Sequence, residues 1–206
     1  MAADRRRRRR ASRAEKKSIL LVTNGALTEK IYLEELKRRA LRTERAKQEN
    51  FAVKVVFING ETDTLIKKLS SPHGDTKSYD EVWLVVDEDG HERTPFLGDC
   101  TRRTTKAQGW FGIVSRPCFE VWLIAHYEPV RRYANQQAAQ EHYRRLIPEG
   151  LGEKEIPPGF PYDAMEDAVP RSHLNGTSQP PLEELPPLPG TGMPHLVQRL
   201  GLVPKA

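Results

Sequence analysis

The sequence predicts an α/β fold in which a mostly parallel four-stranded sheet is flanked by helices. Four short apolar runs, at 18–23, 52–58, 81–87 and 111–115, are separated by segments with helical spacing or helix-start signals. The connections are short, as in units where a helix carries the chain from one parallel strand to the next. The first and third runs are apolar continuously rather than alternately, the pattern of strands covered on both faces.

The first run, SILLVT, is broken by Asn24-Gly25. Thr28 offers a hydroxyl N-cap, Leu27 and Tyr32 a hydrophobic staple, and Leu33, Leu36, Ala40 and Leu41 recur at helical spacing. A helix is therefore expected from about Glu29 to the mid-forties. AVKVVFI ends at Asn59-Gly60, and a short helix over 62–70 stops at Ser71-Pro72. EVWLVVD is the third strand, 98–108 a weaker helix, and FGIVS the fourth strand. Pro117 suits a helix's first turn, so a further helix should run from Cys118 to about Tyr127, with Pro129 ending it. Twelve of the 16 prolines lie at 148 or later, so 148–206 is expected as a proline-rich irregular extension with a closing helix near Met193–Leu200. The domain proper is then 18–147.

Charge divides the chain as sharply as hydropathy does. The net charge is +5, but residues 1–17 hold seven Arg and two Lys against Asp4 and Glu15. The remaining residues carry 24 basic and 26 acidic side chains, which excludes a uniformly basic nucleic-acid coat. The leader cannot bury apolar area and is expected to be disordered. It reads either as a solvated tail or as an arm whose Arg5, Arg6, Arg7, Arg8, Arg9, Arg10 and Arg13 seek phosphates without choosing sequence. No apolar run approaches the roughly 20 residues of a membrane span, and no secretory apolar region follows the arginines. Cys100 and Cys118 make neither a disulfide framework nor a zinc set. A cytoplasmic protein is expected.

Open parallel sheets bind ligands at the carboxyl ends of their strands. There the third strand ends in Asp87-Glu88-Asp89-Gly90. Asp87 and Asp89, two residues apart in near-extended chain, can point to one side, and Mg²⁺ or Mn²⁺ takes such hard oxygen ligands. An ordinary polar strand end is the plainer alternative. The run is no EF-hand, since position 12 of such a loop would be Gly98. Nor is it a haloacid-dehalogenase motif, which would follow the first strand. In SRPCFEVWLIAHYE (115–128), Glu120 sits in the first helical turn, favoured by the helix dipole. Phe119, Trp122 and His126 share another face, where His126 reads equally as a hydrogen-bonded core residue. Cys118 reads as a small core side chain.

Four blocks carry a resemblance: ILLVTNGALTEKIYLEELKR (19–38), EVWLVVDEDGH (81–91), SRPCFEVWLIAHYE (115–128) and PLPGTGMPHLVQRL (187–200). With the basic lead-in, they resemble the RloB family. Its members are bacterial, lie near restriction–modification and other phage-defence genes, and are read as having a Toprim-like fold. Toprim domains gather a Glu after the first strand and a DxD after the third around Mg²⁺. The resemblance thus implies that Asp87 and Asp89 hold a metal. The first-strand Glu does not carry over: RloB-like proteins usually read EG at that turn, and this chain reads Asn24-Gly25.

Either Glu29 or Glu120 then supplies the missing carboxylate, or binding persists without cleavage. Spacing along the chain favours Glu120, because Glu29 has to reach back over Ala26, Leu27 and Thr28. The expected function is a Mg²⁺- or Mn²⁺-dependent nuclease or phosphodiester-transfer enzyme acting on RNA or DNA. Asp87, Asp89 and Glu120 serve the metal, Asn24, Glu29, Glu120 and His126 the catalysis, and Arg116 and the leader arginines the phosphates. The alternatives are a non-catalytic nucleotide- or nucleic-acid-binding subunit of a defence complex, and a structural partner whose cationic leader docks another protein.

Overall fold

The computed structural model describes residues 16–149 and 156–204. The expected disordered leader, with Arg5, Arg6, Arg7, Arg8, Arg9, Arg10 and Arg13, lies outside the described residues. The apolar runs become β1 (Lys17–Thr23), β2 (Phe51–Phe57), β3 (Glu81–Asp87) and β4 (Gly109–Arg116), all parallel. A fifth strand, β5 (Gly190–Thr191), pairs antiparallel with β4, giving the order β2-β1-β3-β4-β5. The sheet is therefore five-stranded rather than four-stranded. A Gly-Thr pair carries no apolar pattern, and its place depends on Ser115 and Thr191, whose hydroxyls lie 2.9 Å apart.

Alternation along the strands builds two cores. Ile19, Leu21, Trp83, Val85 and Ile113 face one side of the sheet, whereas Leu20, Val22, Leu84, Val86 and Val114 face the other. The second face is covered by α3 (Thr62–Ser70) and α4 (Thr94–Arg103), through Leu65, Ile66, Leu69, Phe96 and Leu97. The first face is covered by α1 (Thr28–Ala40), α2 (Glu44–Gln48), α5 (Glu120–Ala125), α6 (Gln136–Leu146), α7 (Met165–Arg171) and α8 (Met193–Arg199). Phe160, Met165, Ala168, Met193, Leu196 and Leu200 belong to this same core, so the chain beyond 148 packs on the sheet.

Boundaries moved where capping chemistry outweighed spacing. Thr28 is the first residue of α1, not its side-chain cap, and Leu27 precedes it. The expected long first helix stops at Ala40 because Thr43 starts α2, accepting a hydrogen bond from the Ala46 N–H at 3.1 Å. α4 begins at Thr94 rather than near 98, with Pro95 in its first turn. α6 has no counterpart in the expectations. Asn135 caps it by accepting from the Ala138 N–H at 2.9 Å, and it buries only Ala139, His142 and Tyr143.

Candidate metal and substrate site

The carboxyl ends of β1, β2 and β3 open together onto a cavity of about 300 Å³. Asn24 lies just past β1, Phe57 and Asn59 at the end of β2, and Asp87 and Asp89 at the end of β3. The first turns of α1 and α5 contribute Glu29 and Glu120, and α6 adds Gln136 and Gln140 from one face. Four carboxylates and four carboxamides therefore meet in one space, and among the described residues no Lys or Arg lines it.

Asp87 is the pivot. Its carboxylate accepts from the Phe119 N–H, while its Oδ1 is fully enclosed and has no hydrogen-bond partner. Burial, then the negative charges of Glu29, Glu120 and Asp89, push the Asp87 carboxyl well above the ordinary range. Asp89 follows in left-handed backbone, φ 49°, with its N–H donating to the Pro117 carbonyl at 3.3 Å. Aspartate is one of the few residues that tolerates that conformation. The turn is pinned from behind by the buried Arg93, whose Nε donates to the Asp87 carbonyl at 2.9 Å and whose Nη1 donates to Glu61 at 3.2 Å.

Glu29 reaches the cavity by folding back over the β1 turn. A methyl group built on Gly25 would collide with the Glu29 carboxylate. Glu29 and Glu120 are thus both delivered, and the preference for Glu120 drawn from chain spacing is replaced by a pair.

Among the described residues, no group of three or more His, Cys, Asp and Glu side chains is placed so that it could hold a metal ion by itself. The donor set suits a different binding style. Mg²⁺ dehydrates reluctantly, keeps several waters, and is commonly held by one or two carboxylates. An enclosed, unpartnered Asp87 Oδ1 among three further carboxylates fits that requirement.

A family model described as RloB-like protein matches residues 19–200. The chain belongs to the RloB-like family. No curated protein and no solved structure matches it. The matched span runs from β1 through α8 and contains every residue lining the cavity of this RloB-like chain.

Two site expectations for the RloB-like chain are corrected by its packing. His126 does not reach the cavity. It is buried, with Nδ1 3.0 Å from the Trp122 carbonyl and Nε2 3.1 Å from the Tyr32 hydroxyl. The carbonyl can only accept, so Nδ1 carries the proton and Nε2 accepts from Tyr32. Burial pulls the imidazole down to about 4, leaving a neutral core residue rather than a phosphate donor. Arg116 is not a lining residue either. Its Nε donates to Glu88 at 2.7 Å and its Nη1 to the Pro186 carbonyl at 2.8 Å, tying β4 to the C-terminal segment.

Cys118 is the core residue expected. It is buried, its thiol is pushed up by burial and by Glu120 and Asp87, and it is no ready nucleophile. Sequence reasoning missed Phe57, Asn59, Gln136, Gln140 and Arg93 as members or supports of the site. Only Asn59 carried a signal, as the residue that closes a strand at the sheet's carboxyl edge. Among the described residues, no helix is long and apolar enough to cross a membrane.

Proposed function

We propose that this chain is a Mg²⁺- or Mn²⁺-dependent phosphodiester enzyme of the Toprim type. It would act on RNA or DNA in a cytoplasmic phage-defence system. One observation carries the reading: an Asp87 carboxylate with one enclosed, unpartnered oxygen shares a strand-end cavity with three other carboxylates. Such a group is costly unless a cation or a proton neutralises it.

Asp87 and Asp89 are the residues that would hold the ion, with Glu120 or Glu29 completing the set. A bound divalent ion supplies transition-state charge stabilisation and acidifies a bound water. Whichever of Glu29 and Glu120 does not complete that set would be the proton acceptor, since both line the same cavity. Asn24 offers an uncharged amide to a phosphate oxygen or a water. Among the described residues no Lys or Arg lines the cavity, so sequence-independent phosphate contact is assigned to the arginines of the leader.

The test is degradation or nicking of labelled RNA and DNA by purified protein in Mg²⁺ or Mn²⁺. Asp87→Ala is expected to abolish it while the melting transition survives. A second reading is favoured by Asn24, which brings no charge to the turn where the family usually has Glu. A non-catalytic nucleic-acid- or nucleotide-binding subunit of a defence complex would leave wild type and Asp87→Ala equally inert and equally able to bind oligonucleotide.

A further inference from the structure

The cavity lining holds a second group of side chains besides its four carboxylates. Asn24, Asn59, Gln136 and Gln140 border it, and none of these four carboxamides is hydrogen-bonded to another side chain or to backbone among the described residues. Phe57 lies beside them. Phe51, Val53 and Val55 face the α1 side of the sheet, so the two-residue period sets Phe57 on that face, one step beyond the core. It is half-buried, packs into neither core cluster, and pairs in register with Thr23, next to Asn24.

A phosphate alone offers only acceptors and would leave the carboxamide carbonyls unused. Carboxamides present a donor and an acceptor together, the complement of a nucleobase edge. An aromatic face beside them is a platform for an unstacked base. A volume of about 300 Å³ accommodates one small ligand and excludes a base-paired segment.

We infer that this cavity receives one unstacked nucleotide, its base against Phe57 and its edge read by Asn59, Gln136 and Gln140. The inference rests on the nucleic-acid reading above and narrows its substrate to unpaired nucleotides. The nucleotide's source is either a single strand or a free mononucleotide, which share this chemistry.

The experiment is fluorescence anisotropy on the full chain in Ca²⁺, with gels confirming intact probes. The probes are labelled 12-nucleotide single strands of RNA and DNA, the blunt duplex of the same sequence, and AMP as competitor. Single strands should bind at least tenfold tighter than duplex. Phe57→Leu should weaken single-strand binding about tenfold and Phe57→Tyr preserve it. Gln136→Leu and Gln140→Leu should reorder the preference among homopolymers without moving the melting temperature, which keeps the test alive should Phe57→Leu fold poorly. AMP competing as well as the strand assigns a free nucleotide; competition by strand alone assigns a polymer. Equal duplex binding, or Phe57→Leu binding like wild type, overturns the inference. Mn²⁺ titration of the same proteins separates the two ideas. If wild type and Asp87→Ala take up Mn²⁺ alike while Phe57→Leu alone loses the strand, the metal reading fails and the nucleotide subsite stands.

Discussion

Glu29 folds its carboxylate back over Gly25, so that a side chain from the first turn of α1 occupies the space above the β1 turn. That is where the resemblance described above implies a first-strand Glu and this chain has Asn24. If the charge matters and not the residue that bears it, moving it should be tolerated. Glu29→Gln should lower turnover by about 10²-fold or more, the span of a positioned proton acceptor. Adding Asn24→Glu to the same chain should restore most of it. A double variant as inactive as Glu29→Gln would show that the two positions are not equivalent.

At Gly25 the constraint is space rather than backbone conformation. A Cβ there meets only the tip of a flexible side chain, which can swing aside. Gly25→Ala should therefore change stability by no more than about 1 kcal/mol. It should also displace Glu29 and lower turnover about as far as Glu29→Gln does. Calorimetry and turnover on the one variant check both halves.

Asp87 makes stability depend on pH in an unusual direction. An unfolded aspartate titrates near ~3.9, and burial with three acidic neighbours raises Asp87 well above that. Between the two values the folded chain binds more protons than the unfolded one. Stability therefore falls as pH rises through that window, by at most about 1.4 kcal/mol per pH unit. The wild-type minus Asp87→Asn difference in chelator, from melts between pH 4 and 8, should show this decline. Mg²⁺ should reverse it in the wild type and not in Asp87→Asn.

The legible parts of the molecule were those with a period or a local motif. β1 to β4 announced themselves as apolar runs, and Asp87 and Asp89 as acids at a strand end. α6 did not, because Gln136, Gln137, Gln140 and Glu141 dilute a buried face made of Ala139, His142 and Tyr143. The two residues of β5 are too few for any pattern. Chain spacing undervalued Glu29, because a helix's first turn can project a long side chain back across the loop before it. It overvalued Arg116, whose partner Glu88 stands within the acidic run itself. Phe57 was absorbed into its strand, since nothing in the sequence marks the point at which a strand outruns the helices that cover it.

The buried His126 provides the opposite pH signature and a sharp control. Its imidazole is held down to about 4, against an unfolded value near ~6.5. Above ~6.5 both states are neutral and the folded state keeps its full stability. As pH falls from there to about 4, the unfolded chain takes up a proton that the folded chain refuses. The loss accumulates to about 3 kcal/mol over that span. His142 and His173, also lowered by burial, add to the same acid limb. His126→Phe should flatten part of this limb in thermal melts. At pH 7 it should cost about 1–3 kcal/mol, because the Tyr32 hydroxyl is left without its acceptor. Since His126 does not line the cavity, the pH profile of kcat in this variant should match that of the wild type. A kcat profile that changes shape in His126→Phe, with the protein still folded, would instead place the imidazole in the path of the transferred proton.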